Sequence, residues 1–329
     1  MSNSNQIATP SFTAYLDWNI FNKIEKLGEL QDPELKTYGL IKELIVNKKL
    51  TIPYSNAHIS DLARGYLKNP EFANKHLQTI TLLTGNLCMV QYWGIPKVKW
   101  HYRDPQEFLD STLDESNAMA KSFSELLYID DEPFLNALWD VQKSLLRLQR
   151  LDDSFKDLYK TDPIFNSIFP RTKIEMNKLA LCEDLFQFSS RIKTDYVLYK
   201  SFQKFLNQIR LKFPQHQKLL MKNQQIIGKP AYLTWDNMVD KAYEQTKVAT
   251  KNAAYDRILG QFTSTDIKGY SADERFANMI DDGLHCFYAA HCDYFITIDK
   301  RCADKSKRTY QTLKIQCKVV SPEEFVTIL

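Results

Sequence analysis

Acidic side chains stand beside apolar segments in both terminal parts of the chain. Asp17 follows FTAYL and Asp299 follows DYFITI, and both segments are typical of buried strands. Asp61 lies in the predicted helix after LTIPY, and Asp281 and Asp282 lie in the predicted helix before DYFITI. Carboxylates that share one cleft repel one another unless a cation neutralises them. Such hard oxygen ligands suit Mg²⁺ or Mn²⁺, which can activate water and offset charge on a phosphodiester.

The elements that must position these acids alternate between strand and helix at both ends of the chain. In the amino-terminal part, strands at FTAYL and KKLTIPYS alternate with helices at 18–30, 33–48 and 56–67, the last with Ser55 as its N-cap. Towards the carboxyl end, a helix opens with a Ser271–Glu274 capping box, strands follow at DYFITI and KIQCKVV, and Ser321 caps a last helix. This alternation predicts a parallel α/β sheet, whose strand carboxyl ends share one ligand-binding edge.

The middle of the chain has a different pattern. From about residue 85 to 264, apolar residues recur at helical spacing with few strand signals. The sequence therefore predicts a discontinuous α/β domain over residues 1–84 and 265–329. A mostly α-helical insertion over residues 85–264 interrupts it.

Composition narrows the class of protein without naming a function. The chain has 329 residues, 44% of them hydrophobic, and a formal net charge of only +3, which does not by itself indicate nucleic acid. Six cysteines without a Cys-x-x-Cys pair indicate reduced, buried thiols. The amino terminus lacks a signal-peptide pattern, and no apolar run reaches the roughly 18 residues of a membrane span. We expect a cytoplasmic protein that does not enter the membrane.

Short polar side chains accompany the acids. Asn19, Ser55 and Thr297 lie near the predicted strand ends, where they could orient ligands or water from behind the acids. His285 lies one helical turn after Asp282. It could contact a substrate phosphate, or it could be a structural histidine whose ring nitrogens are satisfied by neighbours.

Two basic segments could hold a nucleic-acid backbone. Lys300, Arg301 and Lys305 lie in a predicted loop after Asp299. They could hold a nucleic-acid backbone, or the loop could be only a solvated surface. Residues 191–230 carry nine Lys or Arg and one acid, and Lys200 and Lys204 alternate there with phenylalanines. Those rings could stack on unpaired RNA bases, or they could fill the core of the helical insertion.

Four segments in order resemble the PIN-like nuclease superfamily: YLDWN, IPYSNAHISDL, DDGLHCFYAAHCDYFITIDKR and VVSPEEF. The resemblance covers residues 12–84 and 265–329 and leaves the insertion unmatched. It implies a three-layer α/β/α domain with a central parallel sheet. It also implies cleavage of RNA, less often of structured DNA, with three or four acids around Mg²⁺ or Mn²⁺.

The resemblance also assigns residues. Asp17, Asp282 and Asp299 match the metal-binding acids, and Asp281 remains an alternative to Asp282. Asp61 stands where the family usually has Glu, so its contact with a metal could run through water. These positions are expected to be the catalytic acids of an endoribonuclease that acts on RNA.

The sequence leaves some other functions open and disfavours others. The alternatives to an endoribonuclease are a structure-specific DNA nuclease and a catalytically silent PIN-like module that binds RNA or protein. A neutralising or regulatory protein partner and a homo-oligomer are also possible. An aspartyl-phosphate phosphatase is disfavoured because Asn19 stands where its second acid is needed, and the chain lacks a nucleophile elbow and a Gly-rich phosphate loop.

Overall fold

The structure is a computed structural model, and it describes most of the chain. The described residues are 12–66, 69–92, 94–117, 122–126, 128, 132–153, 156, 159–160, 163–222, 234–246 and 253–328. They form two compact units. Unit 1 takes the described residues of 1–117, 233–273 and 278–329, and unit 2 takes those of 118–232 and 274–277.

Unit 1 contains two β-sheets. The strands are β1 (Phe12–Leu16), β2 (Leu50–Thr51), β3 (Tyr54–Ser55), β4 (Leu87–Val90), β5 (Lys99–Tyr102), β6 (Tyr294–Ile296) and β7 (Lys318–Val320). A four-stranded parallel sheet has the order β2-β1-β6-β7, and a three-stranded sheet has the order β3-β4-β5. The predicted α/β class with a central parallel sheet is therefore confirmed.

Helices make up most of the remaining described structure. A 3₁₀ turn at Leu27–Glu29 follows the first of them. In chain order the α-helices are α1 (Trp18–Glu25), α2 (Glu34–Val46), α3 (Asn56–Tyr66), α4 (Pro70–Thr84), α5 (Pro105–Asn117), α6 (Phe123–Leu126), α7 (Pro133–Leu148), α8 (Pro163–Ile168), α9 (Thr172–Glu175), α10 (Lys178–Thr194), α11 (Tyr196–Lys222), α12 (Trp235–Thr246), α13 (Ala253–Ile267), α14 (Phe276–Ala289), α15 (Lys300–Leu313) and α16 (Pro322–Ile328).

The order of the parallel sheet creates a switch point beside β1. The chain moves from β1 to β2 on one side and later returns to place β6 on the other side. Leu16 is aligned with Ile296, and Ile296 with Val320, so these three strands end at the same level. In open parallel sheets the crevice at such a reversal is the usual ligand site. The residues that follow β1 and β6 therefore meet at the edge where a site is expected.

The predicted strand KKLTIPYS divides between the two sheets. Leu50 and Thr51 pair with β1, whereas Tyr54 and Ser55 pair with β4. Pro53 separates the two halves, and proline has no N–H with which to continue a strand ladder. The Ser55 hydroxyl accepts a hydrogen bond from the Ala57 N–H at 3.2 Å, which confirms its predicted role at the start of α3.

Two strands lie where the sequence predicted few strand signals. β4 and β5 follow α4, after a turn in which Gly85 and Asn86 both have positive φ. The segment LCMV is short and wholly apolar, a pattern that does not distinguish strand from helix. α5, α12 and α13 also belong to unit 1, so the predicted boundaries at residues 84/85 and 264/265 fall inside this unit.

Two local predictions near the carboxyl end were wrong. The predicted basic loop after Asp299 is the helix α15, with Asp299 as its N-cap. The helix α14 begins at Phe276 rather than at a Ser271–Glu274 capping box. Ser271 has a φ of 49°, and its hydroxyl donates instead to Asp304 at 2.7 Å. The last helix starts as predicted, since Ser321 and Glu324 cap each other's backbone N–H groups.

Unit 2 is helical in its described part. α10 packs against α7 and α11. Leu179 and Ile192 of α10 and Leu198 of α11 are buried. In the whole described part of the chain, no helix combines the length and apolarity needed to cross a membrane.

Five of the six cysteines are buried, as expected, and Cys182 is half-buried.

Candidate active site

Asp17 lies at the carboxyl end of β1, where α1 begins. Its backbone N–H donates to the Ile296 carbonyl at 3.0 Å, which continues the strand pairing by one residue. The Thr297 hydroxyl donates to Oδ2 of Asp17 at 2.7 Å, and the Asn19 amide lies 3.5 Å from the same oxygen. The side chain is therefore oriented by the two polar residues that the sequence placed beside it, and only 7% of Asp17 is exposed.

Asp299 lies next to Asp17 in the structure because β6 pairs with β1. Its Oδ1 accepts hydrogen bonds from the backbone N–H groups of Arg301 at 2.8 Å and Cys302 at 3.0 Å, and so caps α15. Its own N–H donates to the Thr297 hydroxyl at 3.0 Å. Thr297 thus bridges the two strand-end acids: it donates to one side chain and accepts from the backbone of the other.

The two neighbouring acids on α14 have different partners. Asp281 pairs with the Arg64 guanidinium of α3. Oδ2 of Asp282 lies 3.9 Å from the ammonium of Lys305. Both carboxylates line the same cleft. The structure therefore brings to the site both Asp282, the predicted metal-binding acid of this helix, and Asp281, its alternative.

Asp61 ends a buried chain of polar contacts. Its Oδ2 lies 2.9 Å from Nε2 of His285, whose Nδ1 lies 2.9 Å from the Tyr15 hydroxyl. The Tyr15 hydroxyl lies 2.7 Å from the Ser55 hydroxyl. The Ser55 N–H donates to Nδ1 of His58 at 3.0 Å, so the Nε2–H of His58 donates to the Leu16 carbonyl at 2.8 Å. His285 therefore supports Asp61 directly, and Ser55 supports it through Tyr15 and His285.

Both oxygens of Asp61 are engaged by its neighbours. Oδ1 pairs with Arg64, and Oδ2 contacts His285. Burial opposes the charge on Asp61, but the His285 hydrogen bond and the charges of His285 and Arg64 outweigh it and lower the pKa of this carboxyl. For His285, burial is again the largest single effect, but Asp61, Asp17 and Asp282 together raise its pKa to about 9. The imidazole is therefore charged at neutral pH.

Asp17 and Asp282 have the opposite shift, and burial is its largest cause. Burial raises the pKa of Asp17, and the charges of Asp61 and Asp299 add to this against His285 and Thr297. Burial also raises the pKa of Asp282 well above its usual range; the Asp273 carboxylate raises it further, against Lys305. A carboxyl with such a shift is short of positive charge.

These side chains surround one cleft of about 500 Å³ within unit 1. Six aspartates line it: Asp17, Asp61, Asp273, Asp281, Asp282 and Asp299. His285, Arg64, Lys300 and Arg301 line it as well, and Lys300 and Arg301 are exposed at its rim. Among the lining side chains, carboxylates thus outnumber cationic groups.

Lys305 is not a surface residue, and the prediction that it binds RNA was wrong. The α15 turn that follows Asp299 directs it inward, and its side chain is fully buried among Asp266, Asp273 and Asp282. A side chain with no exposed area cannot contact a nucleic-acid backbone.

Lys200 and Lys204 lie on α11 in unit 2. Between them, the Phe202 ring packs edge-on against Phe188, with ring centroids 5.6 Å apart. Phe205 similarly packs against Phe165, with centroids 5.7 Å apart. These contacts favour the core interpretation of the phenylalanines over stacking on bases. Residues 223–230 of the basic stretch lie outside the described residues.

Sequence reasoning missed Arg64 and Asp273, which line the cleft, and Tyr15, which contacts His285. Arg64 follows Asp61 by three residues, so the two share a face of α3, and this spacing was an available signal. Tyr15 precedes Asp17 by two residues and therefore shares its face of β1. Asp273 precedes α14 in an irregular segment, where sequence gives no signal of orientation.

The donor chemistry of the cleft fits a hard divalent cation. Carboxylate oxygens are the ligands that Mg²⁺ and Mn²⁺ prefer. Burial raises the pKa of Asp17 and Asp282, so their ionised forms would be stabilised by a bound cation. Within the described ranges, no three His, Cys, Asp or Glu side chains already form a metal-binding cluster. Asp281, Asp282 and Asp299 are instead directed at Arg64, Lys305 and the α15 backbone.

Comparisons of this chain with protein-family models, with curated proteins and with solved structures found no match.

Proposed function

We propose that the protein is a Mg²⁺- or Mn²⁺-dependent endoribonuclease that hydrolyses phosphodiester bonds in this cleft. One observation carries the proposal: acids far apart in the sequence converge at the switch point of the parallel sheet, with carboxylates in excess over cationic groups. The choice of RNA as substrate comes from the resemblance of the terminal segments to PIN-like nucleases.

Asp17, Asp282 and Asp299 would hold the cation. Thr297 orients the first of these through a 2.7 Å hydrogen bond. When bound, the cation would supply activation of water and neutralisation of charge on the phosphate. The reaction needs no protein nucleophile, and its products are 5′-phosphate and 3′-hydroxyl ends.

Asp61 has a positioning role in this proposal. Because its two oxygens are held by Arg64 and His285, it fixes these cations at the wall of the cleft. The charged His285 and Arg64 face the position where a phosphodiester would lie, and Lys300 and Arg301 at the rim can bind neighbouring phosphates. The protein thus contributes orientation and charge on both sides of the scissile bond.

The decisive experiment is cleavage of end-labelled single-stranded RNA, and of single-stranded and flapped DNA, with Mn²⁺, Mg²⁺ or EDTA. We expect RNA cleavage that EDTA abolishes and that Asp17→Asn reduces at least 100-fold, in the range of the loss of one essential electrostatic group. Cleavage that survives EDTA or Asp17→Asn would refute the proposal. Cleavage of DNA alone would favour the structure-specific DNA nuclease, and RNA binding without cleavage would favour the silent module.

A matched control exists on the same sheet. Asp293 lies at the amino end of β6, at the opposite edge, and accepts a 2.8 Å hydrogen bond from the Thr13 N–H. Asp293→Asn makes the same chemical change away from the cleft and is expected to leave the turnover rate of the folded protein unchanged. Asp281→Asn and Asp282→Asn, compared under the same conditions, identify the third acid, and we expect the larger loss for Asp282→Asn.

A further inference from the structure

Lys305 carries a charge that the proposed reaction does not use. It is 0% exposed, and its ammonium lies 3.2 Å from Oδ2 of Asp266, pairs with Asp273 and lies 3.9 Å from Oδ2 of Asp282. The Phe262 ring lies below it, with its centroid 4.7 Å from Nζ. Burying an ammonium group is costly unless it is paired, so these neighbours form a dedicated site for one positive charge.

The three carboxylates reach Lys305 from separate parts of unit 1. Asp266 ends α13, Asp273 lies in the segment before α14, and Asp282 lies on α14. The Asp273 N–H also donates to Oδ2 of Asp266 at 2.9 Å, which fixes two of the carboxylates against each other. Asp273 and Asp282 line the cleft as well. The ammonium therefore sits directly behind the cleft wall and shares two carboxylates with it.

The formal charges around this position leave room for one divalent ion. Seven carboxylates in the described residues belong to the cleft or to the Lys305 site: the six lining aspartates and Asp266. Five cationic side chains face them: Arg64, His285, Lys300, Arg301 and Lys305. With all seven carboxylates ionised and His285 protonated, the formal excess is two negative charges, which matches one Mg²⁺ or Mn²⁺. Without the ammonium the formal excess would be three, which is more than one divalent ion balances.

We propose that the Lys305 ammonium is a fixed internal cation that restricts the cleft to a single divalent ion. Two-metal sites hold their ions about 3.5–4 Å apart, with carboxylates shared between them. Here the ammonium already takes up the shared carboxylates Asp273 and Asp282 on one side. This inference rests on the proposed function, and it concerns only how many ions the cleft holds, because the buried ammonium does not reach the substrate.

The test is a count of bound ions. Mn²⁺ alone is titrated into the full chain, and free Mn²⁺ is measured by electron paramagnetic resonance. We expect one Mn²⁺ per chain, lost in Asp17→Asn. Two cleft-bound Mn²⁺ per chain, both lost in that variant, would overturn the single-ion site and leave the nuclease proposal intact. No bound Mn²⁺ would overturn the nuclease proposal, and the single-ion site with it.

Lys305→Met removes the charge while keeping the length of the side chain. We expect its stoichiometry to rise to two Mn²⁺ per chain, with circular dichroism recorded in Mn²⁺ to show that the variant is folded. Lys268→Met is the matched control, because Lys268 pairs with Asp240 and does not line the cleft; its count should stay at one. A folded Lys305→Met protein that still binds one Mn²⁺ would show that Lys305 only supports the fold. If the variant does not fold, the number of Mn²⁺ ions bound by the wild-type chain decides whether the site holds one ion or two.

Discussion

Thr297→Val is the sharpest probe of the proposed cation site, because valine has the shape of threonine without its hydroxyl. The hydroxyl is buried, donates to Oδ2 of Asp17 at 2.7 Å and accepts from the Asp299 N–H at 3.0 Å. Its loss leaves the Asp17 carboxylate with only the longer contact from the Asn19 amide, at 3.5 Å, and leaves the Asp299 N–H without its acceptor. Both affected residues are proposed ligands of the cation, and the fold around them is otherwise unchanged in volume.

The expected magnitude follows from the charge on Asp17. A hydrogen bond to a charged group contributes about 1.5–3 kcal/mol, and about 1.4 kcal/mol corresponds to a tenfold change in affinity. The same hydrogen bond also stabilises the metal-free protein, so only part of its free energy is lost from metal binding. The lower end of the range for a hydrogen bond to a charged group therefore applies. We therefore expect Mn²⁺ to bind about tenfold more weakly, in line with the effect of residues that orient metal ligands.

The variant should also respond differently to pH. Burial raises the pKa of Asp17, and the Thr297 hydrogen bond opposes this shift. Without the hydroxyl the pKa rises further, and a carboxyl must be deprotonated to bind a cation. On acidification, Mn²⁺ affinity of Thr297→Val should therefore begin to fall at a higher pH than that of the wild-type protein.

The assay is a Mn²⁺ titration followed by electron paramagnetic resonance at several pH values, with thermal unfolding to confirm the fold. Thr297→Ser keeps the hydroxyl and removes only a methyl group, so it should retain wild-type affinity within about twofold if the hydrogen bond carries the effect. Equal affinity and equal pH dependence for the valine variant and the wild type would refute the assignment of Asp17 as an oriented ligand.

Three further predictions test other parts of the protein. Tyr15→Phe should lower RNA cleavage about tenfold, because His285 loses a contact that orients Asp61; Tyr54→Phe, which loses hydrogen bonds to the Arg103 carbonyl and to Cys88 outside the cleft, should change melting temperature but not turnover. Burial raises the folded-state pKa of Asp282, so in the metal-free protein this carboxyl binds a proton at a higher pH when folded than when unfolded, and the melting temperature of the wild type minus that of Asp282→Asn should rise as pH falls from 7. The difference is measured because burial lowers the pKa of His58 to about 3, which destabilises both proteins on acidification; a falling difference would contradict the Asp282 shift. Lys200→Glu with Lys204→Glu should weaken RNA binding and flatten its salt dependence, and an unchanged affinity would mark α11 as a solvated face.

The sequence predicted most of the elements that frame the cleft. β1 has the predicted bounds, and α2 and α3 lie within two residues of their predicted helices, whereas the helix predicted over 18–30 divides into α1 and the 3₁₀ turn at Leu27–Glu29. These segments combine apolar periodicity with clear ends, such as the Pro53 break and the Ser55 cap. β4 gave no such signal, because four apolar residues fit a strand and a helix equally well.

α15 shows why hydrophobic pattern alone can fail. Its buried side consists of Cys302, Lys305, Ser306, Thr309 and Tyr310, which follow helical spacing but are mostly polar. A scan for apolar periodicity therefore sees a charged loop. The available signal was the cap: Asp299 has the residue type preferred before a helix, and it accepts from the backbone of the first turn.

The partners of the acids were harder to predict than the acids. Asp17 and Asp299 follow from strand ends, since parallel strands bring their carboxyl ends together. Lys305 and Asp273 are 32 residues apart, and their pairing depends on how α13, α14 and α15 pack. Charge–charge contacts of this range leave no periodic trace in one sequence. For this reason Lys305 was wrongly predicted from the sequence to be a surface cation.

The cleft separates two kinds of acid that look alike in the sequence. Asp61 has its carboxylate oxygens held by Arg64 and His285, and its pKa is lowered. Asp17 and Asp282 instead have raised pKa values, chiefly because they are buried. An acid whose two oxygens are already held by cations gains little from a metal ion, whereas a buried acid without such contacts gains much. The number of acids therefore matters less than how the fold compensates each of them, and on this ground we propose that the cation binds between β1 and α14.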